Sequence, residues 1–173
     1  RKGDDDDDDT ESIQSEAFRE KVPIANGKFL KGALIWRAKK LEAEFKKTKK
    51  TLIKINVQAD KSPKKIGVMV TVESKVKSVA EECARRVRTE WRVSMRTYEV
   101  RGGEAEMEQI MEKKAQVLKA TIKGKGDKNV YLTFRDTTNK ITIFSLDRNE
   151  TNQVFEKLKK FVENQKVTMR LLI

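Results

Sequence analysis

From about residue 28 onward the apolar residues fall into short blocks. Their spacing switches between the three-to-four of a helix and the strict alternation of a strand, and the order of the blocks restricts the fold more than any other feature. After Pro23 and the Asn26-Gly27 pair, Leu30, Leu34, Ala38, Leu41 and Phe45 recur at helical spacing. Ile53, Ile55 and Val57 then alternate with polar neighbours, as do Ile66, Val68, Val70 and Val72 beyond the turn-forming stretch 60–65, which predicts a hairpin. Val76, Val79, Ala80, Cys83, Val87 and Trp91 mark a second helix, with Ser78 and Glu81 at the spacing of a reciprocal N-terminal cap. A strand over 93–98 closes at Gly102-Gly103, and a helix runs from Glu104 through Met107, Ile110 and Met111 to Leu118. Strands are predicted at 117–123, 130–135 and 141–146, separated by the turn-rich segments 124–128 and 136–140. A helix over Val154–Val162 and a terminal strand carrying Val167, Met169 and Leu171 complete the order.

This order excludes a regular βαβ alternation. It predicts an α+β fold with a mainly antiparallel sheet of about seven strands and about four helices packed on it. Hydrophobic residues make up 37 % of the 173 and charged residues 38 %, so the core is expected to be thin. Gly102-Gly103 is the one boundary the composition offers, dividing a 23–173 domain into possible lobes 23–101 and 104–173. The helix-strand-strand-strand-helix order predicted for 104–164 resembles that of double-stranded RNA-binding domains and of the Alu-end proteins of the signal recognition particle. More loosely, it resembles the kinase-associated regulatory domains. The resemblance is one of topology and covers about a third of the chain. The helix at Val154–Val162 has no Lys-Lys-x-Ala-Ala start.

The net charge of +12 hides two blocks of opposite sign. Residues 1–20 hold nine acids and three bases, −6, whereas the remaining 153 hold 36 bases and 18 acids, +18. A run of aspartates from Asp4 to Asp9 repels itself and buries nothing, so residues 1–22 read as a disordered acidic tail. Because the tail is tethered to a basic body, it is either a linker or a competitor for whatever anion that body binds. Residues 21–50 are the most lopsided stretch, with ten bases against two acids.

The chain has no histidine and a single cysteine, so a Ser-His-Asp triad, a Cys-His dyad, a histidine zinc site and an internal disulfide are excluded. Neither glycine-containing loop, 27–32 or 124–128, has the spacing of a phosphate-binding Walker loop. The acids Glu81, Glu82, Glu104, Glu106 and Glu108 fall where helices open and are explained by the helix dipole. No catalytic residue, cofactor or metal is therefore expected. A single thiol and the lack of a 20-residue apolar run suggest an intracellular protein of cytoplasm or nucleus, not transmembrane. The opening Arg1 suggests a piece of a longer chain within a larger assembly.

What stands out is basic surface. Three clusters are candidate anion-binding residues: Lys39, Lys40, Lys46, Lys47, Lys49 and Lys50; Lys61, Lys64 and Lys65; Arg85, Arg86, Arg88 and Arg92. Aromatic residues are only 6 %, and Phe45, Trp91, Phe155 and Phe161 fall on helix stripes, so backbone contact is expected over base reading. Tyr131 and Arg135 share one strand face as a possible small platform, and no zinc finger, KH loop or RNP-like strand is present. The expectation is a non-enzymatic module docking on a phosphate-rich polyanion, with nucleic acid favoured. The alternative is a regulatory module that binds an acidic protein or an anionic membrane surface, with the tail as an autoinhibitory switch.

Overall fold

The computed structural model describes residues 17–59, 67–122 and 129–172, with side chains described to residue 165. The fold is mixed α+β, as expected. Instead of one sheet of seven strands with four helices, the described residues form two three-stranded antiparallel sheets and five α-helices. The chain divides into two compact units, Arg1–Arg92 and Val93–Ile173.

The first unit runs β1 (Phe18–Ile24), a 3-10 turn (Gly27–Leu30), α1 (Lys31–Thr48), β2 (Ile53–Ala59), β3 (Val68–Ser74) and α2 (Lys77–Glu90). β3 lies between β1 and β2, antiparallel to both, and Val22 and Val57 flank Val70 in the register. Alternate residues of β3 are buried, so one face of the sheet is a carpet of Val22, Ile24, Val68, Val70, Val72 and Ile55. Leu34, Ala38, Leu41 and Phe45 of α1 and Val79, Ala80, Cys83, Ala84 and Val87 of α2 complete this core. Arg19, Lys21, Lys54, Asn56, Thr71 and Glu73 occupy the opposite face, where Arg19 Nε lies 3.2 Å from a Glu73 carboxylate oxygen.

Residues 18–22, assigned by composition to the acidic tail, are part of the first unit's sheet, because Val22 and Ile24 bring apolar surface that β3 buries. Asn26 takes a left-handed conformation (φ 62°), and a Cβ on Gly27 would stand 2.7 Å from Val68 Cγ2. The Asn-Gly pair therefore turns the chain where the entry to α1 passes close over β3. The expected Ser78–Glu81 cap is not used. The N-cap of α2 is Val76, two residues earlier, with no side-chain cap, while Ser74 Oγ accepts the Val76 N–H at 3.2 Å.

The second unit runs β4 (Ser94–Glu99), α3 (Gly103–Glu112), α4 (Lys114–Thr121), β5 (Val130–Arg135), β6 (Lys140–Ser145) and α5 (Arg148–Leu172). β6 lies between β4 and β5, antiparallel to both. Because β4 is hydrogen-bonded into this sheet, the division between units falls at Arg92/Val93, ahead of Gly102-Gly103. Val100, Met107, Ile110, Val117, Leu132, Ile141, Ile143, Val154 and Leu158 belong to its core.

Two predicted strands are helices. Val117 and Thr121, read as a strand from their β-branched side chains, are buried four residues apart on α4, and the Thr121 hydroxyl donates to the Val117 carbonyl at 2.8 Å. The region around 167–171 continues α5, which meets no glycine or proline between 148 and 172 to end it. The resemblance to double-stranded RNA-binding domains loses the strand it depended on, since 103–172 reads helix-helix-strand-strand-helix.

Both units thus share one plan: strand, helical segment, two strands, helix, with the third strand central. Their charges differ. Residues 17–92 carry 21 bases and eight acids, +13, and residues 93–173 carry 16 bases and 11 acids, +5. The contrast is sharpest in the first helix of each: α1 has six bases against Glu42 and Glu44, whereas α3 has Glu104, Glu106, Glu108 and Glu112 and no base.

Candidate anion-binding face

α1 is an 18-residue helix with a buried stripe of Ala33, Leu34, Ala38, Leu41 and Phe45. At 3.6 residues per turn, the arc opposite this stripe holds Gly32, Trp36, Lys39, Lys40, Ala43, Lys46 and Lys47. Lys50 follows just past the C-cap, in a left-handed conformation. All five lysines are exposed, and the arc contains no acid. Glu42 and Glu44 fall on its flanks. Trp36 is 59 % exposed toward the N-terminal end of this face, with the Lys40 ammonium 5.0 Å from the ring centroid.

On the flank toward α2, Arg37, Lys40, Glu44 and Lys47 repeat at i, i+3, i+7 and i+10, and with Arg86 and Glu90 of α2 they line an open groove of about 570 Å³. Leu41, Ala43 and Trp91 supply its apolar lining. Arg86 is held by two carboxylates: its Nη1 donates to Glu44 at 2.6 Å and its Nε to Glu90 at 3.2 Å. The hydrogen bond that Arg86 donates to Glu44 is the main reason its guanidinium titrates above its ordinary range. Arg37 Nη1 donates to the Glu90 carbonyl at 3.4 Å. These bonds tie the two helices together and neutralise Arg86 locally. The groove's remaining cationic side chains, Lys40 and Lys47, are in no ion pair among the described residues.

The predicted residues therefore separate into groups. Lys39, Lys40, Lys46, Lys47 and Lys50 share the outer face and rim of α1. Lys49 pairs with Glu82 at 3.5 Å and Arg88 with Glu20 at 4.0 Å, so both are partly compensated. Arg85 and Arg92 are exposed on α2 and just past its end, and Arg92 Nε donates to the Arg88 carbonyl at 3.3 Å. Arg85, Arg88 and Arg92, at i, i+3 and i+7, share one exposed face of α2, whereas Arg86 points about 100° from Arg85 and is held by Glu44 and Glu90. Lys61, Lys64 and Lys65, like Asp4 to Asp9, lie outside the described residues.

Sequence reasoning missed Arg37, the clamp of Glu44 and Glu90 on Arg86, and the exposure of Trp36. The wheel position of Trp36, opposite Leu34 and Ala38, was the available signal. The possible platform on β5 is modest: Tyr131 is 44 % exposed beside Met95 and a buried Phe144 in the sheet register, and Arg135 lies two rows away beside Lys140. Cys83 is fully buried, and burial pushes its thiol up to about 12, so it is held protonated and unreactive. Among the described residues no cluster of acidic or cysteine side chains is arranged to hold a metal ion, and no helix is long and apolar enough to cross a membrane. Compared with protein-family models, curated proteins and solved structures, the chain finds no match in any of the three.

Proposed function

We propose that the first unit is a non-enzymatic docking module that binds the phosphate backbone of a nucleic acid through the outer face of α1. The observation that carries this reading is the acid-free arc of exposed lysines, Lys39, Lys40, Lys46 and Lys47 with Lys50 beyond it, on the more basic of two units built on the same plan. Such a face concentrates a polyanion and gains its affinity from counterions released by the phosphates. The reading assigns no catalytic step, and Cys83, the one thiol, is buried and held protonated.

The test is binding of the full chain to a labelled single-stranded RNA, followed by anisotropy across a salt series. Five phosphate contacts give a slope of about −3.5 in log K against log salt for a single strand. The variant K39Q/K46Q/K47Q lowers the slope to about −1.4, so its affinity falls about 100-fold at 0.1 M salt and converges with the parent near 1 M. The control K113Q/K159Q/K160Q removes three exposed lysines of the second unit and leaves binding near the parent value. Equal losses in both variants, or no binding by the parent chain, overturn the proposal.

A further inference from the structure

An exposed aromatic residue opens the lysine face at its N-terminal end. Trp36 is 59 % exposed, while the other tryptophan, Trp91, is 4 % exposed in the core. An accessible indole beside cations is the pairing by which single-strand-binding surfaces stack bases and hold phosphates. We infer that Trp36 is a stacking platform for an unpaired base, with Lys39, Lys40, Lys46 and Lys47 holding the flanking phosphates. The ligand of this face is then a single-stranded nucleic acid. The inference rests on the nucleic-acid reading above and sharpens it from any phosphate backbone to a strand with accessible bases.

Three features of the face fit such a strand. The Lys40 ammonium lies 5.0 Å from the centroid of the exposed indole, so a base stacked on the accessible part of the ring meets a cation beside it. One turn earlier the helix carries Gly32, which adds no side chain on the N-terminal side of Trp36. Lys39 and Lys46, like Lys40 and Lys47, are seven residues apart, about 10 Å along the axis, so cations continue from Trp36 toward the end of α1 as a track for consecutive phosphates. A bilayer surface fits less well. Interfacial helices bury a broad apolar stripe, whereas this face offers only Trp36 and, at its edge about 100° from Trp36 and 38 % exposed, Ile35. A duplex offers phosphates but no free base face, so it leaves the indole unused.

The experiment compares the full chain with W36A and W36F on four probes: a 12-nucleotide single-stranded RNA, the duplex of the same sequence, heparin, and vesicles of phosphatidylserine and phosphatidylcholine. Stacking predicts that W36A loses about 5- to 100-fold on the single strand. W36F keeps most of that affinity, and both bind duplex and heparin as the parent does. The salt slope on the single strand stays unchanged in W36A, because no phosphate contact is lost. Trp36 fluorescence is quenched by the single strand and not by heparin. Equal affinity of W36A and parent for the single strand overturns the stacking role while leaving the backbone-docking proposal standing. An equal loss on heparin shows that the ring acts through the fold, and tight binding confined to the anionic vesicles assigns the face to a membrane. Either result overturns the inference.

Discussion

Val22→Ala separates a strand from a tail. Val22 is 2 % exposed in β1, opposite Val70 of the central strand, yet composition places it at the end of an acidic tail. If it belonged to a solvated tail, truncation would change stability by no more than about 0.5 kcal/mol. In the sheet it removes two methyl-sized groups from the core, about 1.6 kcal/mol of transfer free energy. A residual void of roughly 50 Å³ adds about 1 kcal/mol, for a total of about 3 kcal/mol if the site does not relax. Trp36 and Trp91 both lie in the first unit, so tryptophan fluorescence reports that unit alone. In a Trp36→Phe background the buried Trp91 is the sole reporter. With an m-value of about 1 kcal/mol/M in urea for a unit of this size, the midpoint falls by 2 to 3 M. A fall of less than 0.5 M refutes the assignment of β1 to the core.

Gly27→Ala places a Cβ 2.7 Å from Val68 Cγ2 and 3.3 Å from Leu34 Cδ1, so the same assay should read a destabilisation of about 1 to 3 kcal/mol; an unchanged midpoint would show that the turn has room to give. The Cys83 thiol, raised from 9.0 to about 12 by burial, loses its proton in the unfolded chain first, so stability is flat below pH 9 and declines as pH rises from there toward 12. Cys83→Ala should remove that decline, which urea midpoints at pH 8 and pH 10 will measure, and an identical decline in both proteins counts against the assignment. Deleting residues 1–16 should strengthen binding to single-stranded RNA at 0.05 M salt and leave it unchanged near 1 M, because it removes two bases and eight acids, a net −6, from the chain that carries the lysine face. Equal affinities at low salt would make the aspartates a plain linker. Deletion through residue 22 should instead unfold the first unit by removing most of β1, seen as loss of the Trp91 transition.

The sequence by itself determined the class of fold, the elements with clean periodicity and the location of the charge. α1, the β2–β3 hairpin and α2 are legible because Leu34, Leu41 and Phe45, or Val68, Val70 and Val72, each repeat at the period of one regular structure. Spacing alone is ambiguous where β-branched residues sit in a helix. Val117 and Thr121 read as a strand until their burial four residues apart is known, and Val167, Met169 and Leu171 alternate while belonging to α5. β1 was hidden because acids and bases occupy its middle positions and its buried residues are only Val22 and Ile24. Tertiary structure decided the division into two three-stranded sheets, since strand pairing is a non-local choice that periodicity does not encode. It also decided which cations stand free. Arg86 and Lys40 look alike in the sequence, but the fold brings Glu44 and Glu90 onto the first and leaves the second over an exposed Trp36, because residues one helical turn apart share a face while neighbours in sequence point about 100° apart.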